Sequence, residues 1–348
     1  MSKLPTAMSA VLLKGNGGYD QLEFRADVSL PELAAEEVLI RIGAAAVNNT
    51  DINTRTAWYS ASVNASADSG WTGAANVFPR IQGADGCGRI VAVGARIDAS
   101  RIGERVLIEP VFRAPLGWAP YRAIYFGSEW DGAFAEYAKA PSVHAHRVES
   151  SLSDIELATF PCSYSAAENM LERAKLGEGE TVLITGASGG VGSAALQLAR
   201  RRGAIVIAVS AKEKAAEMTE LGASRVLARE TDVLAALGAE SVDVVCDVVG
   251  GAQFPKLLEV MRRGGRYSVS GAIAGPHVGL DLRTLYLKDL RLTGCTVFDP
   301  IVFTNLIGYI EKGEIEPLVS SVYPLSSIVE AQQEFQAKRH IGKIVLTV

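Results

Sequence analysis

The run Thr181-Val-Leu-Ile-Thr185, continued by Gly186-Ala187-Ser188-Gly189-Gly190-Val191-Gly192, decides the fold. Its first half predicts a buried strand, and Gly192 to Arg202 predicts a helix. Between them, glycines let the backbone turn tightly and approach a diphosphate. The first N–H groups of the helix and the positive end of its dipole then face that anion. Outward from this point strands and helices alternate. Ala204 to Val209 reads as a second strand, and Lys212 to Leu221 as a helix closed by Gly222. Arg225 to Leu227 and Val242 to Val248 are further strands. Phe254 to Arg263 is a helix closed by Gly264-Gly265, followed by a strand from Arg266 to Ser270 and a last one from Leu290 to Val297. Such alternation predicts a doubly wound parallel sheet.

Upstream, to about residue 150, the texture is β-rich, with short strands at Glu37–Ile42, Arg89–Gly94, Arg105–Ile108 and Ala133–Lys139. Ser153-Asp154 opens a long amphipathic stretch to about Lys175. The tail carries helices at about 302–312 and 326–336 and a final strand, Lys343 to Val348.

The chain has 348 residues, 34 Lys+Arg against 39 Asp+Glu, a net charge of −5 and 48% hydrophobic residues. This length suggests two domains, and the composition is globular. A mildly acidic chain without a Lys/Arg block is a poor partner for nucleic acid. No stretch approaches about 18 apolar residues, so no membrane span is expected. The first apolar run, Ser9 to Leu13, is too short for a signal-peptide core. Cys87, Cys162, Cys246 and Cys295 have wide, irregular spacings. They suit neither a zinc ribbon nor a disulfide scaffold, and a reducing cytoplasm is expected.

The second strand reports on the cofactor. An NAD site usually places Asp or Glu at its end, for the ribose 2′-hydroxyl. Here it ends Ala208-Val209-Ser210-Ala211, followed by Lys212, Glu213 and Lys214. A hydroxyl and two cations suit a 2′-phosphate, so NADPH is expected over NADH, with Ser210 and Lys214 as contacts.

Several stretches together resemble the medium-chain dehydrogenase/reductase superfamily. They are Val47-Asn48-Asn49-Thr50-Asp51, Gly83-Ala84-Asp85-Gly86-Cys87-Gly88 with Val93-Gly94, the Ala187 to Gly192 loop, Glu213-Lys214, Leu221-Gly222-Ala223 and Gly342 to Leu346. The likeness covers nearly the whole chain and is nearest to the zinc-independent quinone oxidoreductase and zeta-crystallin branch. It implies an α/β protein: a GroES-like β-rich catalytic domain from 1–156 and 302–348, and a Rossmann NADP-binding domain from 157–301. It also implies an active site in a cleft, and a homodimer or homotetramer that pairs Rossmann sheets edge to edge through Leu290 to Val297. It adds Val249, Gly250, Ser270, Gly271, Phe298 and Lys343 to the cofactor contacts.

Zinc alcohol dehydrogenases of the superfamily carry Cys-His-Thr-Asp where this chain has Asn48-Asn49-Thr50-Asp51, and Gly-His-Glu where it has Gly83-Ala84-Asp85. Their third ligand falls at Cys162. A catalytic zinc needs three protein ligands. Ala84 offers none, and 112–130 lacks the cysteines of a structural zinc lobe. No metal is expected, and Cys162 reads as a buried small residue. His144 and His146 form His-x-His without a third ligand, which favours packing or surface roles.

Without zinc, the easier reaction is hydride delivery to a quinone or to the conjugated C=C of an enone or enal. Asn48 and Thr50 are the expected donors to the developing charge, with Asp51 orienting their loop. Tyr59 is the expected proton donor, near where related enoyl reductases place a tyrosine. It lies at an insertion, roughly 57–78. Phe112 to Trp130 holds six aromatics. Trp58, Trp71, Trp118, Tyr125 and Trp130 are expected to wall a pocket for a flat or bulky hydrophobic substrate. The alternatives are a zinc-free carbonyl or alcohol oxidoreductase, or a non-catalytic zeta-crystallin-like nucleotide-binding protein.

Overall fold

The computed structural model describes residues 4–61, 70–72 and 75–348. Residues 62–69 and 73–74, part of the expected insertion, lie outside the described residues. The chain divides into two compact units, Met1–Cys162 with Pro317–Val348, and Ser163–Glu316. The second boundary falls beyond residue 301, because the helix Pro300–Glu311 packs into the Ser163–Glu316 unit through buried Val302, Phe303, Leu306 and Ile310.

That unit is built on a six-stranded parallel sheet. Its strands run, in spatial order, Arg225–Ala228, Ile205–Ser210, Thr181–Ile184, Val242–Asp247, Met261–Val269 and Arg291–Gly294. The order reverses between Thr181–Ile184 and Val242–Asp247, so the glycine turn after Ile184 lies at the topological switch point, where doubly wound sheets bind ligands. Thr181–Ile184 and Ile205–Ser210 are nearly continuous apolar runs because both faces are covered.

The other unit holds a seven-stranded sheet around Glu37–Ala46, a three-stranded sheet and a two-stranded ribbon. The register of the large sheet matters for the site. Ala46 pairs with Asp85 on one side and with Val345 on the other. Asn48, Asp85 and Lys343 are thereby brought to one end of one sheet, although they come from three distant parts of the chain.

The structure departs from local expectation in several places, the expected strand Ala133–Lys139 for one forming only over Tyr137–Pro141. The stretch 153–175 is two helices, Asp154–Leu157 and Pro161–Arg173. Pro161 has no N–H to continue the first and suits the start of the second. The helix from Phe254 stops at Val260, because Met261 is extended and pairs with Val242; the strand then runs Met261–Val269. An unanticipated strand, Val319–Pro324, pairs with Lys343–Thr347; two serines and a proline disguised it. The last parallel strand is only Arg291–Gly294. Among the described residues no helix is long and apolar enough to cross a membrane.

Candidate active site

The glycine turn is built for close approach. Gly186 lies at φ +59°, the left-handed region. A Cβ on Gly192 would lie 2.2 Å from Gly186 O and 2.7 Å from Ala187 Cα. The helix Gly190–Arg201 therefore rests directly on the turn, and no side chain caps its N-terminus at Gly189. This cradle fits a dinucleotide diphosphate.

Past the second strand, Ser210 is buried and its hydroxyl donates to Ala211 O at 3.1 Å. Lys214 Nζ lies 3.4 Å from Ser188 Oγ. Burial and the neighbouring Arg229 guanidinium lower the pKa of its ammonium. Arg229 was not anticipated. Its backbone N–H donates to Ser210 O at 2.8 Å, which ties the end of the third strand to that of the second.

Val249 and Gly250 are held by a residue that sequence reasoning missed. Asp247, fully buried, accepts from Val249 N at 2.8 Å, from Gly250 N at 3.1 Å and from the Tyr267 hydroxyl at 2.6 Å. The Thr185 hydroxyl also donates to it. Ser270 N donates to the Asp247 carbonyl at 3.2 Å, just before Gly271, and Phe298 is buried.

In the other unit a polar cluster surrounds the start of the helix Asn49–Arg55. Asn48, its N-cap, donates through Nδ2 to Asp85 Oδ2 at 2.7 Å and to Ala46 O at 3.2 Å, and its Oδ1 accepts from Lys343. Lys343 Nζ also meets Asp85 Oδ2 at 2.7 Å, and Cys162 N donates to Asp85 Oδ1 at 2.6 Å. Asp51 accepts from Asn48 N at 2.7 Å and from Gly83 N at 3.2 Å. Burial pushes its carboxyl up to about 7, against the pull of those N–H groups and of Lys343.

The Tyr59 hydroxyl donates to Thr50 Oγ1 at 3.2 Å, and Asn53 Nδ2 lies 3.5 Å from it. Burial raises the Tyr59 pKa, so the phenol keeps its proton at neutral pH. The Tyr125 hydroxyl lies 3.2 Å from Cys162 Sγ. Burial, then the Asp85 charge, pushes that thiol up to about 12, which leaves it a poor nucleophile.

Trp71 stacks on Tyr125 with ring centroids 4.5 Å apart. Glu129 clips the same two loops together, accepting from Thr72 N at 2.7 Å and from Tyr125 N at 3.1 Å. The other expected pocket aromatics have different neighbours. Trp130 donates to Lys139 O at 2.9 Å and stands edge-on to Phe112. Trp118 packs on His144 at 5.3 Å and, like Trp58, is substantially exposed. The histidine pair has the third partner that the sequence did not disclose. His144 Nε2 accepts from the N–H groups of Arg113 and Ala114, so its Nδ1–H donates to Glu109 Oε2 at 2.9 Å, and His146 reaches the same oxygen. Among the described residues no set of three such side chains is arranged to hold a metal ion.

Two family models match. Residues 34–150 match the alcohol dehydrogenase GroES-like domain, and 190–312 the zinc-binding dehydrogenase model. An acryloyl-coenzyme A reductase of Metallosphaera sedula is 30% identical, over 98% of this chain and 100% of its own length. A quinone oxidoreductase of Lama guanicoe is 27% identical, over 97% of each chain. The chain belongs to the medium-chain dehydrogenase/reductase superfamily, in its quinone oxidoreductase branch. A solved structure of a candidate alcohol dehydrogenase from Sinorhizobium meliloti has 48% identity and a TM-score of 0.94, covering 100% of this chain and 98% of that one. The two units are accordingly the superfamily's GroES-like domain and its Rossmann domain.

A zinc ion does not fit this member's donor set. Of the three positions that supply ligands in zinc enzymes of the superfamily, Ala84 has no donor and the Asn48 amide is saturated by internal bonds. The Cys162 thiol holds its proton tightly. An ammonium, Lys343, already sits on Asn48 and Asp85. Lys343 was expected at the cofactor, and Asn48 as a donor to substrate. In this structure each is hydrogen-bonded to the other and to Asp85.

Proposed function

We propose that this oxidoreductase uses NADPH to reduce a conjugated acceptor, a quinone or the C=C of an enone or enal. The observation that carries this reading is the Asn48–Lys343 cluster, which sets an amide and a buried ammonium where metal ligands would stand, beside the helix that carries the Thr50 hydroxyl and its partner Tyr59. The names of the two relatives support it. Bound NADPH would supply the hydride. The chain's own residues then have two tasks. Thr50, whose oxygen accepts from the Tyr59 hydroxyl, donates its own proton to the oxygen on which negative charge develops, since the Asn48 N–H groups are already spent. Tyr59 holds the proton for the neighbouring carbon, and its raised pKa keeps that proton in place until the charge forms. The stacked pair Trp71 and Tyr125 favours a flat acceptor.

The test is NADPH oxidation with a quinone, an aromatic enone, a short enal and a saturated aldehyde, each with and without chelator. Turnover of conjugated acceptors only, unaffected by chelator, is expected. Tyr59→Phe should then lower kcat by roughly a hundredfold, with NADPH affinity retained. Preference for the saturated aldehyde, or loss of activity with chelator, would favour a carbonyl or alcohol oxidoreductase instead.

Selection of NADPH is assigned to Ser210 and Lys214, joined by Arg229. A lysine–phosphate hydrogen bond contributes about 1.5–3 kcal/mol. Lys214→Ala should therefore weaken NADPH by roughly ten- to a hundredfold and leave NADH nearly unchanged. Equal losses for both cofactors in a fluorescence titration would refute the assignment.

A homodimer is proposed through the exposed edge strand Arg291–Gly294. Beside it in sequence, Leu282, Tyr286 and Leu287 are each more than half exposed, an apolar group that pairing of two copies would cover. Leu287→Glu should shift sedimentation toward monomer; an unchanged dimer would sink this interface. The wide, irregular spacing of the four cysteines supports a reducing, cytoplasmic setting. A disulfide in the native protein would contradict it.

A further inference from the structure

We propose that Lys343 is the resident cation of the site, a positioning residue whose ammonium holds Asn48 and Asp85 in place and supplies fixed positive charge. The charge-stabilising part of this inference rests on the reductase reading above; the ion-pair part does not.

Lys343 is 2% exposed and Asp85 is fully buried. Burying an ammonium is costly unless it is paired and hydrogen-bonded. Here the pairing is a closed triangle. Lys343 meets Asp85 Oδ2 at 2.7 Å, Asn48 donates to that same oxygen at 2.7 Å, and Lys343 donates to Asn48 Oδ1. Cys162 N secures the other carboxylate oxygen at 2.6 Å. Sheet register sets the triangle, because Asp85 and Val345 flank Ala46 from opposite sides.

Two consequences follow from the geometry. First, Lys343 fixes the N-cap of the helix that carries Thr50 and Asp51, and through Thr50 it fixes the partner of Tyr59. Second, its charge reaches the surroundings, pulling the pKa values of both Asp51 and Cys162 downward. A fixed charge in a site shielded from water stabilises developing negative charge without reorganising. A metal ion would perform this task in zinc enzymes; in this chain an amine from the last strand performs it.

The experiment compares wild type with Lys343→Met, Asp85→Asn and the double variant. Each single change strands a buried charge and should lower the melting temperature by roughly 10 °C. The double change removes both charges and should lower it by less than the sum of the two singles. This arm needs no substrate, so it stands even where every conjugated acceptor fails with the wild type. With an acceptor that the wild type reduces, Lys343→Met should lose on the order of a hundredfold in kcat. Its NADPH dissociation constant should stay within about twofold. The double variant, folded even where Lys343→Met is not, should remain as slow. Additive melting shifts would overturn the ion pair. Weakened NADPH binding with kcat retained would make Lys343 a cofactor contact. Recovery of kcat in the double variant would reduce Lys343 to a structural role.

Discussion

Gly192→Ala is expected to abolish saturable NADPH binding. The added methyl would lie 2.2 Å from the Gly186 carbonyl oxygen and 2.7 Å from Ala187 Cα, both backbone atoms with no rotamer to change. The helix start and the turn must move apart, and overpacking of this kind costs about 1–3 kcal/mol in stability. That alone leaves the protein folded. The larger effect is on the diphosphate cradle, whose N–H groups lose their common aim, and a drop of more than about a hundredfold in NADPH affinity is expected. Gly189→Ala separates the two effects. Its methyl would meet only Gly186 O, at an unstrained 3.6 Å, and the backbone there is extended. The melting temperature should then match wild type, while a methyl at the mouth of the helix weakens NADPH. Unchanged NADPH affinity in folded Gly192→Ala, read by quenching of protein fluorescence, would remove the diphosphate from this turn.

Asp247→Ala carries the second large effect. Four donors lose their acceptor at once: the N–H groups of Val249 and Gly250 and the hydroxyls of Thr185 and Tyr267. Each buried group left unpaired costs about 1–3 kcal/mol, so a loss on the order of 3 kcal/mol or more is expected. For a protein of this size that is a fall of roughly 10 °C in melting temperature. Asp247→Asn should cost about half as much, since its carbonyl oxygen still accepts from the two backbone N–H groups while its amide donates to Tyr267. NADPH affinity should fall in the same order, because the Val249-Gly250 turn loosens. Equal stability of the alanine and asparagine variants in a thermal melt would show that the turn has other support.

These residues differ in how far the sequence discloses them. The Gly186–Gly192 turn is legible because its chemistry is local. A strand, a tight turn and a helix start lie within a dozen residues, and only glycine tolerates the contacts. Ser210 and Lys214 are proposed on a signal of the same local kind, their distance from the end of one strand. Asp247 looks like an ordinary residue at the end of an apolar run. Its role depends on Tyr267, twenty residues on, and on Thr185 from the neighbouring strand. Glu109 is hidden in the same way. Nothing near it in sequence announces that two histidines thirty-five and thirty-seven residues away share one of its oxygens. The break at Pro161 was readable in principle, from proline's missing N–H, but the amphipathic pattern ran across it.

Local spacing thus determined the parallel sheet and the place of the dinucleotide turn, and the family resemblance marked Ala84 and Asn48 as positions without metal-donor residue types. Tertiary structure decided what took their place. Lys343 and Asn48 lie 295 residues apart and meet only because the last strand pairs beside Glu37–Ala46 in one particular register. A residue's type and local spacing fix which hydrogen bonds it is able to make. Burial and sheet register fix which ones it makes, and those turn a C-terminal lysine into the counter-charge of a buried aspartate.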